Sequence, residues 1–239
     1  SYLEVDPLDC DRGIPRRVID RYKKFKEMLS NYPSLEQSVS LVLPDLQGPL
    51  DVAEQLAGSD VYLKMMQDPD LVWEFLRKIS ESIVALAKKL EPLINEILPE
   101  GYSHQHGVVI KGNILIREDS AINLSPEIYK EQIRPHNEYI LNQMDGGGLH
   151  FCGDGSHLIE EMAKTEKAEC IDIGQPKMLN IEKMYQVAKR EQVPLLRVRF
   201  DEDFLNGGEL INKYPTGITL RHRCSSLKDA ISFSKSYFN

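Results

Sequence analysis

Apolar positions in this chain change period along its length, and the changes predict its elements. Leu71, Phe75, Ile79, Ile83, Leu86, Leu90, Leu93 and Ile97 recur every three or four residues, with Glu74, Arg77, Lys78, Glu81 and Lys88 on the other side. That spacing predicts a long amphipathic helix packed on a sheet. Asp68 and Pro69 mark its start, a capping carboxylate followed by a residue whose missing N–H is no loss in a first turn. Upstream, Ser38–Pro44 is a short β-branched run ended by proline, and "GPLDVAEQLAG" reads as a loop entering a short helix closed by Gly58. Downstream, "GVVIKGNILIRED" holds two extended runs around Lys111, Gly112 and Asn113, which predicts a strand with a hairpin or bulged excursion. Ser125, Pro126 and Glu127 open a further helix, which Pro135 should kink or stop near Arg134.

The rest alternates: "GGLHFC", "SHLIEEMAK", "AECIDI", "NIEKMYQVAKREQ", "PLLRVRF", "GITLRHRC", then a helix from near Ser226. Alternating strands and helices predict a parallel sheet in one α/β domain over residues 1–239. About six strand-plus-helix units are visible, short of the eight that close a β/α barrel. The chain has 29 basic and 37 acidic side chains, a net charge of −8. That balance makes nucleic acid and anionic membrane surfaces poor partners. No apolar run approaches the ~20 residues of a membrane span, and "SYLEVDPLDC" lacks a signal-peptide pattern, so a cytoplasmic protein is expected.

Candidate chemistry starts with "DGGGLHFCGDG". His150 and Cys152 are two apart, so on a strand they share a face, and the flanking glycines permit close backbone approach. At the carboxyl end of a β/α strand they stand where such proteins build sites. Cys224 closes "GITLRHRC" in the same kind of place. Two thiolates and an imidazole suit zinc, with a fourth position open for substrate, whereas strand packing accounts for the pair without any metal. Cys170, among apolar neighbours, reads as core. His104 and His106 form a second i,i+2 pair near Arg117, Glu118, Asp119 and Ser120, and suit metal ligation, proton transfer or simple surface positions equally. Arg197 and Arg199 share a face of their strand and either clamp an anion or pair with Asp201, Glu202 or Asp203. Asn206–Gly208 reads as a turn.

The segments "QGPLDVAEQLAG", "REDSAINLSPEIYKEQIRPH", "GGGLHFCGDGSHLIEEM" and "TLRHRC" resemble, in order, the uroporphyrinogen decarboxylase-like superfamily. The resemblance runs from about Leu41 to the end and implies an α/β fold of the (β/α)8 barrel type. It is nearest to the zinc-dependent methyltransferases that act with corrinoid proteins, whose His-x-Cys and distant Cys match His150, Cys152 and Cys224. It implies zinc on those three residues and a methylcorrinoid on a partner protein. Glu118 and Asp119 are then the candidate catalytic residues, and His104, His106, Gln175 and Arg199 the pocket wall. The decarboxylase branch is one rival, although its R-x-A-G-R and F-x-D motifs do not occur here, and a non-catalytic truncated member of the superfamily is the other. Members of the superfamily have a longer amino-terminal part, so the resemblance implies a barrel without its first strands, with open edges and self-association.

Overall fold

The structure, a computed structural model, describes residues 4–36, 38–200 and 209–238. Its centre is a six-stranded sheet of β1 (Leu46–Gln47), β4 (Ile114–Arg117), β5 (Gly147–Phe151), β6 (Ala168–Ile173), β7 (Leu195–Val198) and β8 (Ile218–Leu220), in that order. Every neighbouring pair is parallel. A sheet wound in chain order with right-handed crossovers carries its helices on one face. Ile114, Ile116, Leu149, Phe151, Ile171, Ile173, Leu195 and Val198 accordingly join the helices in the main core.

The other face is covered by an antiparallel hairpin, β2 (Tyr102–Gln105) and β3 (Val108–Lys111). Ile110 of the hairpin packs with Leu115, Cys170 and Leu196 of the sheet in a second small core. Burial on both faces is why "ILI" and "LLRV" run apolar without alternation. Gly112, Gly147 and Gly148 let these layers close up. A Cβ on Gly147 would stand 2.0 Å from the Ile114 carbonyl oxygen, and one on Gly148 2.6 Å from Cys170 Sγ.

Helix α1 (Gly13–Ser30) precedes the sheet, α2 (Pro49–Ala57) and α3 (Asp60–Gln67) follow β1, and α4 is the long helix Pro69–Leu90. The Asp68 side chain accepts the Leu71 N–H, as its capping position predicts. The buried line of α4 is Val72, Leu76, Ile79, Ile83, Ala87 and Leu90, so the stripe is turned relative to the expected one and Leu71 is exposed. Pro92 ends the helix in a 3-10 turn, Glu91–Leu93, and Ile97 lies outside it, exposed.

Two further expectations are corrected. Ser38–Pro44 enters no strand: the Leu41 N–H goes to Asn95 Oδ1 and the Val42 carbonyl accepts from Tyr22 Oη, so side chains satisfy this backbone and the sheet begins at Leu46. Pro135 does not stop its helix; the irregularity expected near Arg134 takes the form of a change of helix type. The missing N–H is absorbed by a π turn, Tyr129–Ile133, from which α5 (Arg134–Gln143) continues. The expected turn at Asn206–Gly208 lies outside the described residues. Among the described residues no helix is long and apolar enough to cross a membrane.

Candidate metal-binding site

Parallel pairing places Arg117 of β4 beside His150 of β5, and His150 beside Asp172 of β6. These three form one row across the carboxyl ends of adjacent strands, on the face opposite the helices. His150 and Asp172 are fully buried. The next residue of that face, just past the end of β5, is Cys152, half-buried, with its Sγ 3.4 Å from His150 Nε2. Gly174 leaves the thiol its room, since a Cβ there would stand 2.5 Å from Cys152 Sγ and 3.2 Å from His150 Cε1.

Two residues reach the row through left-handed backbone. Gln105 and Val108 pair across a two-residue tip, His106 and Gly107, with φ of 49° and 81°. Positive φ at both central residues is what a type I′ hairpin turn requires, and histidine is an unusual occupant. The turn places the His106 ring edge-on to His150, centroids 5.2 Å apart. Arg197 has φ 59° where the β7 to β8 register shifts. Its N–H donates to Thr219 Oγ1 at 3.0 Å, and both Nε and Nη2 donate to Asp172.

The charges order the ring protons. A carboxylate only accepts, so the 2.8 Å contact between His150 Nδ1 and Asp172 Oδ2 puts a proton on Nδ1 and turns Nε2 toward Cys152. Burial raises the Asp172 carboxyl, but hydrogen bonds from His150 and Arg197 bring it below the usual carboxylate range. His106 is held down by burial and by the Arg197 and Arg117 guanidiniums, so its ring is neutral. Both its nitrogens face guanidiniums, Nε2 with Arg117 Nη2 at 2.9 Å and Nδ1 with Arg197 Nη2 at 2.8 Å, while Arg117 Nε donates to Asp45. Burial, then the Asp119 charge, push the Cys152 thiol up.

Among the described residues, two sets of three ligand atoms lie within 4.8 Å of one another: His106, His150 and Asp172, and Asp119, His150 and Cys152. The first fits a cation poorly, because both His106 nitrogens face guanidiniums and Arg197 grips Asp172. The second fits well. It offers one N, one S and one O donor, and the far nitrogen of its histidine is held by a buried carboxylate, the arrangement that orients metal-bound imidazoles. Asp119 Oδ1 accepts the Cys152 N–H at 2.6 Å and lies 3.7 Å from His150 Nε2.

The other expected site residues are dispersed. Cys224 belongs to neither set; it lies beyond β8, beside a cavity of about 430 Å3 shared with His222, Arg223, Ser225 and Asp229. Glu118 is fully buried with both carboxyl oxygens lacking a hydrogen-bond partner, and burial followed by the Asp51 charge raises it well above the usual carboxylate range. Gly48 makes room for it, since a Cβ there would stand 2.3 Å from Glu118 Oε1. His104, half-buried on β2, donates its backbone N–H to Glu96 at 2.8 Å and lines a cavity of about 330 Å3 with Asp45 and His106. Gln175 is exposed and accepts the Gly153 N–H at 3.2 Å, bracing the loop after β5. Arg199 follows β7, half-buried, and its three suggested acidic partners lie outside the described residues. Asp172 and Asp45 escaped the sequence reading. For Asp172 a signal existed, an acid two residues after Cys170 in an apolar strand. No protein-family model and no curated protein matches this chain.

Proposed function

We propose that the chain is a zinc-dependent methyltransferase of the uroporphyrinogen decarboxylase-like superfamily, folded as a β/α barrel. It would move a methyl group between a corrinoid on a partner protein and a thiol or other small acceptor. The observation that carries this reading is the His150 ring, with Nδ1 tied to Asp172 and Nε2 facing Cys152 Sγ and Asp119 Oδ1. Asp119, His150 and Cys152 would hold the ion; the resemblance implies Cys224 where the geometry supplies Asp119. Bound zinc supplies Lewis acidity that keeps an acceptor thiol as thiolate at neutral pH.

The chain's own residues do the rest. Asp172 fixes the tautomer of His150, and Arg197 keeps Asp172 ionised in a buried place. Cys152, a protonated thiol in these surroundings, would release its proton to solvent on metal binding, so affinity would rise with pH. Asp119, His150 and Cys152, as the three protein ligands, would leave a position for the acceptor. The hairpin tip at His106 walls the site on one side.

Decarboxylation of an acidic tetrapyrrole is the second reading, since it needs cationic side chains and no metal. Arg117 and Arg197 are the buried cations of the site, and both are already engaged, by Asp45 and Asp172. That engagement favours methyl transfer. The test mixes the zinc-loaded chain with methylcobalamin and a small thiol, and follows the corrinoid spectrum. Demethylation that requires both zinc and Cys152 supports the proposal. A metal-free folded chain that binds a tetrapyrrole and leaves methylcobalamin intact overturns it.

A further inference from the structure

Asp51 lies in "QGPLDVAEQLAG", a stretch to which the proposed chemistry gives no role. It occupies the first turn of α2 and is 3 % exposed. Each carboxylate oxygen takes one backbone N–H from the loop after β4: Oδ2 accepts from Asp119 at 3.1 Å and Oδ1 from Ser120 at 2.6 Å. One turn along α2, Glu54 accepts from Ser120 Oγ at 2.6 Å and from Tyr62 Oη at 2.9 Å. The loop is thus tied to α2 at two levels, and only the Asp51 level holds the peptide of Asp119 itself.

The same residue, Asp119, faces the site with its side chain. With its N–H fixed by Asp51 and its Oδ1 accepting from the Cys152 N–H, the carboxylate has little freedom left beside His150 Nε2. A buried carboxylate is expensive to keep, and here its hydrogen bonds are spent on two neighbouring N–H groups of a single loop.

We infer that Asp51 is a positioning residue that sets the Asp119 carboxylate at the metal position, an inference resting on the ligand set proposed above. Replacing its charge with an amide leaves one N–H facing an NH2 group, which frees the Asp119 peptide to turn. Partners of this kind typically change metal affinity about 10–100-fold.

The test is a cobalt(II) titration of the full chain, reading the thiolate-to-cobalt absorption, with thermal melting of the metal-free chain alongside. Asp51→Asn should weaken cobalt binding about 10–100-fold and alter the absorption envelope. Glu54→Gln, which loosens Ser120 but not the Asp119 N–H, should lower the melting temperature and leave affinity unchanged. Should Asp51→Asn not fold, Asp51→Ser, with a hydroxyl able to serve one of the two N–H groups, takes its place with the same expectation. Unchanged affinity in the Asp51 variant overturns the inference, as does an equal loss in Glu54→Gln, which would make the role one of stability. A folded wild-type chain that binds no cobalt removes the ligand set first, and the role of Asp51 with it.

Discussion

His150 and Asp172 stand opposite each other on neighbouring parallel strands, and the imidazole Nδ1–H meets Asp172 Oδ2 at 2.8 Å with both residues shut off from solvent. The ring can neither turn nor change tautomer without giving up that hydrogen bond. Asp172→Asn keeps the shape and removes the charge. It should weaken zinc binding about 10–100-fold, measured by competition with a chromophoric chelator. Affinity equal to wild type would mean that Asp172 does not orient the ring.

Arg197 balances the same carboxylate, and both partners are buried. Arg197→Ala leaves an uncompensated charge in the interior and should cost about 3–5 kcal/mol in urea unfolding. Replacing both members, Arg197→Met with Asp172→Leu, should restore part of the loss, because two apolar side chains need no partners, while the buried His150 Nδ1–H left without its acceptor keeps the rest. A double variant no more stable than Arg197→Ala would show that the pair is not the source of the cost.

Gly174 tests the space around the thiol. A methyl group there would meet Cys152 Sγ at 2.5 Å, while the residue itself is at the surface and needs no left-handed backbone. Gly174→Ala should therefore shift the thiol and reduce metal occupancy, with little change in melting temperature. Full occupancy in the variant would place the metal elsewhere.

His136, on α5, packs against Trp73 of α4 with ring centroids 4.5 Å apart, and its Nε2 is buried without a hydrogen-bond partner. Burial, aided by the Arg77 charge, pushes its pKa down to about 4. An unfolded chain takes up the proton near the ordinary value of 6.5. Above that pH both states are neutral, and as pH falls toward 4 only the unfolded state gains a proton, so folding loses roughly 3 kcal/mol across the window. His136→Phe should remove this part of the acid sensitivity. Urea unfolding at several pH values reads it, and an unaltered slope between wild type and variant would contradict the assignment.

Local rules made much of this legible in the sequence. Asp68 caps α4, Gly58 closes α2, and the i,i+2 rule put His150 and Cys152 on one face, as the strand geometry bears out. What local rules do not carry is distance between loops. Asp119 meets Cys152 because β4 and β5 are neighbours, whereas Cys224 follows β8, three strands along the sheet from β5. The residues that reach the site through unusual backbone were also illegible in their roles. A strand reading pairs Arg197 with Arg199, but the left-handed bulge turns Arg197 onto Asp172, and the role of His106 depends on a turn type that rarely takes histidine.

The central claim is a metal held by His150, Cys152 and Asp119, and zinc content per chain tests it most directly, on untagged protein purified without added metal. The account predicts about one zinc in the wild type, lost in Cys152→Ser and retained in Cys170→Ser, whose thiol is core, and in Cys224→Ser. A folded wild type without zinc, or equal loss in Cys152→Ser and Cys170→Ser, would contradict it, and loss confined to Cys152→Ser and Cys224→Ser would give the third ligand position to Cys224 in place of Asp119.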